Sequence, residues 1–251
     1  MISDPVLAPL VERWSKYAAL GKAERGAILE LPYRRNEVGR DQHLVREGQT
    51  PQACCLLLEG FAFRHKVTRD GARQIISIHL PGEMVDLQNC LLGVADHNVQ
   101  TLTRAVVATI PQAALQELMD RHPAVGRAMW VETLIDSSIF REWVVNVGRR
   151  DAQTRVAHLL CELLMRMEAA GLTREHGYDL PLTQAQLADA TGLTPVHVNR
   201  VLKALREKGL ISLESRSLRV LNLDALRAAG DFNELYLHHQ AQAPEALAAS
   251  A

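Results

Sequence analysis

Five side chains between residues 196 and 203 carry the recognisable chemistry of this chain: Val196, His197, Asn199, Arg200 and Lys203. Placed on one helix at about 100° per residue, Val198, Val201, Leu202 and Leu205 form an apolar stripe. Val196, Arg200 and Lys203 then fall roughly opposite it, with Asn199 beside them and His197 on the other flank. An arginine pairs in a bidentate way with guanine, an asparagine with adenine, and a valine touches a thymine methyl. The outer face therefore has the chemistry to read base edges in duplex DNA, while the inner face is aliphatic.

The residues around this helix are those needed to hold it. Thr183 opens a preceding helix with Gln186 three residues later as a capping-box partner. Gly192 supplies a residue able to take positive φ at a sharp turn. Thr194 caps the second helix, and Pro195 occupies its first position, where no N–H is required. This spacing predicts a helix-turn-helix, with Thr183 and Thr194 included in the DNA-facing set. Gly209 ends the second helix. Leu210–Glu214 and Leu218–Leu221 then predict a hairpin with Ser215–Arg216–Ser217 at its tip, a wing. Arg216 there either meets a phosphate or is an exposed turn arginine.

Charge agrees with a local reader rather than a general nucleic-acid coat. The 251-residue chain has a net charge of −1. From Thr183 to Arg219 six Lys/Arg face three Asp/Glu, so a positive field is confined to one end. A hydrophobic content of 47 % suffices for buried cores, and the length allows two modest domains. The four cysteines (Cys54, Cys55, Cys90, Cys161) form no C-x-x-C pair and no zinc-type Cys/His spacing. They are expected as buried free thiols, with Cys54 and Cys55 on opposite faces of a strand. The early acidic residues and the lack of a long apolar run predict no signal peptide, no membrane span and a cytoplasmic protein.

Upstream, Asp4–Leu31 has helical patterning, with Lys22–Leu29 as a second short helix. From Tyr33 to Ile110, Glu47–Gly48, Glu59–Gly60, Asp70–Gly71 and Pro81–Gly82 punctuate β-rich runs at Ala53–Leu58, Phe61–Val67, Ala72–Leu80 and Thr101–Ile110. An antiparallel roll follows, with Asp86–Val94 as an insertion. Pro111–Arg121 and Pro123–Val147 are predicted helices. The second carries Met129, Thr133, Asp136, Phe140, Trp143 and Val147 at spacings of four and three, with Leu134, Ile135 and Ile139 beside them. So wide an apolar band predicts a second copy as partner, with Ile135, Ile139 and Trp143 at the seam. Gly148–Arg149–Arg150 is expected to break the helix, and Asp151 to cap the next, which runs to about Ala170. The expected class is α+β: roll domain 1–121, dimerisation helix 122–148, winged helix-turn-helix 149–232, and a disordered tail 233–251.

These motifs resemble the Crp/Fnr family of transcription regulators over roughly Glu30 to Gly230. The matching segments are EGQ at 47–49, LLLEGFA at 56–62, DGARQI at 70–75, LPGEMVDLQ at 80–88 and LTPVHVNR at 193–200. The resemblance implies a cyclic-nucleotide-binding-like β-roll, a long dimer helix and a winged helix on palindromic promoter DNA, with RNA polymerase as a further partner. It places an effector pocket at Gly82, Glu83, Asp86, Leu87, Val99, Gln100 and Phe140. Leu87 stands where cAMP-binding members have a ribose-binding Glu, and Val99–Gln100 where they have an Arg-Ser pair for the phosphate. His97 or Asn98 would serve there only with a shifted gap. Phe140–Arg141 falls where a Thr-Ser pair meets the base. A buried phosphate without a cation is costly, so cAMP is not expected. With no cysteine before Cys54, the N-terminal iron–sulfur ligand set is missing. Haem-dependent members need an axial ligand, for which His65, His79 and His97 are the candidates. The family's common reading-helix Glu aligns with Val196, so its usual half-sites do not carry over. The alternatives are a haem- or metal-dependent sensor and, from another class, a cupin-like metalloenzyme. For the latter, His43, His65, His79 and His97 show no H-x-H set, and no G-x-S-x-G or P-loop appears.

Overall fold

A computed structural model of the chain describes residues 5–174 and 177–239. By internal contacts it forms two units, one holding residues up to Arg64 together with Ile78–Ser137, the other His65–Ser77 and Ser138–His239. The order of elements is a 3-10 turn (Pro5–Leu7), α1 (Ala8–Tyr17), α2 (Lys22–Leu29), β1 (Arg34–Val38), β2 (His43–Val45), β3 (Ala53–Glu59), β4 (Ala62–Val67), β5 (Arg73–His79), α3 (Asn89–Leu92), β6 (Asn98–Thr101), β7 (Ala105–Pro111), α4 (Gln112–Arg121) and α5 (Pro123–Arg149). There follow α6 (Ala152–Ala169), β8 (Gly177–Asp179), α7 (Gln184–Thr191), α8 (Pro195–Glu207), β9 (Ile211–Glu214), β10 (Ser217–Val220), α9 (Leu223–Ala229) and a 3-10 turn at Glu234–Leu237.

The roll consists of two antiparallel sheets, β1-β7-β3 and β2-β6-β4-β5. Alternation along β3 gives each sheet face its own core. Cys55 and Leu57 point into the roll with Val45, Ala62, Val85, Val99 and Val107. Cys54 and Leu56 point the other way, onto a cluster of Leu10, Trp14, Ile28, Ile110, Leu115 and Met129. The N-terminal helices are thus part of this core. Trp14 Nε1 donates to the buried Glu132 carboxylate at 2.7 Å, which ties α1 to α5.

Two expectations are corrected. Thr101–Ile110 is not one strand: β6 ends at Thr101 and β7 begins at Ala105, in different sheets. Helix α5 ends at Arg149, within the Gly148–Arg149–Arg150 segment expected to break it, and Asp151 caps α6, its carboxylate accepting from Thr154 N at 2.9 Å. The segment 233–239, expected in a disordered tail, contains an ordered 3-10 turn. Its Leu237 is buried, and Tyr236 Oη donates to Glu162 at 2.9 Å. The remainder of that expected tail, 240–251, lies outside the described residues.

Candidate nucleic-acid interface

Helix α6 is the foundation of this unit, buried continuously from Val156 to Met167. It even holds a carboxylate, Glu162, with no exposure. Trp143 Nε1 donates to both Glu162 oxygens (3.1 and 2.9 Å), Arg166 Nη1 to one at 3.2 Å, and Tyr236 to the other. Such a charge is tolerable only when every lone pair is engaged. Against α6 sits the motif. Thr183 accepts from Gln186 N at 3.2 Å, and Gln186 Oε1 accepts from Thr183 N at 2.9 Å, a complete capping box. Gly192 takes φ 63°, ψ 38°, as the turn requires. Arg155 of α6 donates to Thr191 O at 3.1 Å and so fixes that turn from below. Thr194 accepts from His197 N at 3.3 Å.

With Val198, Val201, Leu202 and Leu205 buried, α8 has one rotational setting, and the predicted outer residues are all exposed. Val196 is 64 % exposed, an apolar side chain in water on an otherwise polar face. Arg200 and the His197 ring have no partner among the described residues. Asn199 Nδ2 donates to Gln184 Oε1 at 3.3 Å, and Lys203 lies 3.6 Å from Glu207. Three of the predicted contact residues make hydrogen bonds within the chain. The Thr183 hydroxyl is consumed by Gln186, to which it also donates, and the Thr194 hydroxyl by the α8 N-terminus. Arg216 bends back, its guanidinium donating to Leu180 O (3.3 Å) and Pro181 O (2.7 Å), and so fastens the wing to the loop before α7. The wing is three-stranded, β8-β10-β9, because Gly177–Asp179 adds a strand too short to be seen in sequence.

On α5 the residues expected at the seam are buried within one copy. Ile135, Ile139 and Trp143 are each no more than 8 % exposed in a single copy, so they are not available to a partner. The exposed positions are Arg127, Trp130, Leu134, Ser137, Arg141, Val144 and Gly148, again at spacings of three and four but one register over. Trp130, Leu134 and Val144 on that line are 68, 52 and 54 % exposed, with Phe140 and Val145 beside it.

In the roll, the loop after β5 pairs with β3: Gly82 N donates to Leu57 O at 2.7 Å, with Gly82 at φ 88°. Glu83 accepts from Leu80 N at 3.2 Å and lies 3.5 Å from both Arg13 and His79. Asp86 is fully buried; it accepts from Cys55 N at 2.9 Å, and its Oδ2 has no partner among the described residues. Burial pushes its carboxyl up to about 7. Leu87 and Val99 are buried, whereas the Gln100 amide turns out to Asp41 O at 2.8 Å. Phe140 belongs to the other unit. At the cyclic-phosphate positions there is thus no cation, and the residues do not fit a cyclic nucleotide. A largely buried cation that sequence reasoning missed is Arg64 on β4. It bonds Asp136 at 2.7 Å and Val85 O at 3.0 Å. His97 is held between Asp96 (2.6 Å) and Gln88 (3.2 Å), and His65 is buried. Burial lowers the basicity of His79 and His97. No three His, Cys, Asp or Glu side chains converge on a metal-sized site among the described residues.

Comparison with known proteins agrees with both halves of this description. Residues 35–122 match the cyclic nucleotide-binding domain and residues 154–229 the Crp-like helix-turn-helix domain. The transcriptional activator protein FnrL of Cereibacter sphaeroides is 29 % identical over 187 residues, covering 73 % of this chain and 74 % of that protein. FnrA of Stutzerimonas stutzeri, also a transcriptional activator, is 24 % identical over 81 % of this chain and 83 % of its own. Among solved structures, FixK2 from Bradyrhizobium japonicum superposes with a TM-score of 0.71 at 22 % identity, covering 79 % of this chain and 98 % of that one. A CRP-family transcriptional regulator from Thermus thermophilus gives 0.64 at 21 % identity, covering 78 % and 97 %. With a cyclic-nucleotide-binding-like roll, a long connecting helix and a Crp-like winged helix-turn-helix, the chain belongs to the Crp/Fnr family of DNA-binding transcription regulators.

Proposed function

We propose that two copies pair along the exposed line of α5 and present their α8 helices to the two halves of an inverted-repeat promoter site. The observation that carries this reading is the exposed outer face of α8. Arg200 is unpartnered among the described residues, and Asn199 and Val196 stand beside it on a helix whose inner face and both ends are fixed. Arg200 reads a guanine, Asn199 an adenine and Val196 a thymine methyl; His197 and Lys203 flank them toward the backbone. Thr183, Thr194 and Arg216 act by setting the geometry. Apolar side chains at three-and-four spacing on α5 support pairing through Trp130, Leu134 and Val144, since such a line on a lone helix is exposed at a cost.

The bound dimer acts in the cytoplasm by recruiting or blocking RNA polymerase, without catalysis of its own. The effector pocket, if Glu83, Asp86 and Leu87 form its floor, takes something other than a cyclic nucleotide. Fluorescence anisotropy tests the reading. Purified protein should prefer an inverted-repeat duplex to its scrambled counterpart, with affinity falling steeply in salt. Equal affinity for the two would refute sequence-specific reading.

A further inference from the structure

Strand β3 and the four-residue helix α3 bring together two sulfur atoms that lie 36 residues apart in sequence. Cys54 Sγ and Cys90 Sγ are 3.1 Å from each other, and both thiols are free. A disulfide bond is about 2.05 Å long, so closure asks for a movement of roughly 1 Å. Neither Cys55, on the opposite face of β3, nor Cys161, in the other unit, is part of this pair. The two partners differ in how firmly they are held. Cys54 is fully buried on strand β3, which is laddered to β7, and its Sγ also approaches Asp86 O at 3.7 Å. Its hydrogen bond with Cys90, and then burial, push its thiol well above the usual range, so it keeps its proton. Cys90 is 4 % exposed on a single helical turn that ends in Gly93 at φ 76°. The neighbouring Leu91 and Leu92 are 78 and 68 % exposed. Two side-chain bonds fasten the turn, Gln112 to Asn89 O at 3.1 Å and Gln116 to Cys90 O at 2.6 Å. A single turn has little helical stability of its own, so local opening brings Cys90 to solvent long before the roll unfolds.

We propose that Cys54 and Cys90 are a thiol-modification site in the roll, closed to an intramolecular disulfide by a hydroperoxide. The Cys90 thiolate attacks the hydroperoxide, whose O–O bond breaks. The sulfur is oxidised to a sulfenic acid, and an alcohol leaves, or water when the oxidant is hydrogen peroxide. Cys54 sulfur then attacks the Cys90 sulfur. The S–O bond breaks, the S–S bond forms, and water leaves with the Cys54 proton. Two thiols and one hydroperoxide give one disulfide, one water and the alcohol; a dithiol reductant restores the pair. The closed form pins α3 to β3 and ends the Cys54 contact with Asp86 O.

The test uses the full chain and hydrogen peroxide. After treatment, alkylation in denaturant should count two thiols instead of four. Non-reducing peptide mapping should recover a Cys54–Cys90 link that dithiothreitol removes. A Cys55→Ser/Cys161→Ser variant should go from two thiols to none, and Cys54→Ser should accumulate a dione-trappable sulfenic acid at Cys90. Four surviving thiols in the native protein, or links that involve Cys55, Cys161 or a second chain, would overturn the proposal. Because the native protein is assayed directly, a variant that fails to fold does not shield it.

Discussion

Replacing Arg200 by alanine separates base reading from general attraction to DNA. The side chain is exposed and makes no bond within the described residues, so its loss should leave stability within about 0.5 kcal/mol of the parent. All of its effect should then fall on the complex. A bidentate arginine–guanine contact contributes about 1–3 kcal/mol of discrimination, and a dimer makes it twice, so the inverted repeat should lose about 2–6 kcal/mol. At about 1.4 kcal/mol per tenfold, that is a fall of roughly 30-fold to 20,000-fold. Anisotropy titrations against the inverted repeat and a scrambled duplex, over a range of salt, would measure it. The scrambled duplex should bind almost as before, and the salt slope should hold. A phosphate contact would instead weaken both duplexes equally and lower the slope by about one per copy. Equal losses on both would remove Arg200 from the base-reading set and take the assigned orientation of α8 with it.

Leu134→Glu should shift the sedimenting species from dimer to monomer and weaken DNA binding with it, while barely moving the melting temperature. Ile135→Asp, by contrast, should lower stability by several kcal/mol, because it buries a charge within one copy; a fully folded monomer from Ile135→Asp would restore the original seam. Trp143→Phe withdraws the indole donor from buried Glu162 and should cost about 1–3 kcal/mol in urea unfolding, with an unchanged midpoint ruling out the network as a support. The Asp86 carboxyl, raised by burial to about 7 from an unfolded value near 3.9, makes the folded protein bind a proton that the unfolded chain releases. Its contribution is therefore full below about pH 4 and lost as pH rises through about 7, a decline of up to a few kcal/mol. Asp86→Asn should flatten that part of the stability profile, and an identical slope in the variant would assign it to other groups.

The motif that names the ligand was legible because its chemistry is local. A capping box, a turn glycine, a second cap and a proline all act within a few residues, and each took the form its sequence predicts. The roll was legible from its turns, since glycines at positive φ, such as Gly60 and Gly82, mark where strands end. What failed had no local signal. Strand β1 is Arg-Arg-Asn-Glu-Val, polar and exposed, and its ladder partner is β7. Helix α5 is apolar on so broad an arc that two registers of three-and-four spacing fit it. Only the rest of the fold decides that Ile135 faces in and Leu134 out. Arg216 reads as either a phosphate ligand or an exposed turn arginine, and no sequence signal places the loop carbonyls of Leu180 and Pro181 within its reach. Arg64 with Asp136, and Cys54 with Cys90, are long-range pairs for which sequence spacing offers no rule.

Mapping the genomic sites this protein occupies, followed by binding to the derived fragment, tests the paired-reader account most directly. The occupied sites should share an inverted repeat whose half-site centres lie about one helical turn, roughly 10 base pairs, apart, bound by two copies. Occupied sequences without two-fold symmetry, or a single copy bound per site at full affinity, would contradict it.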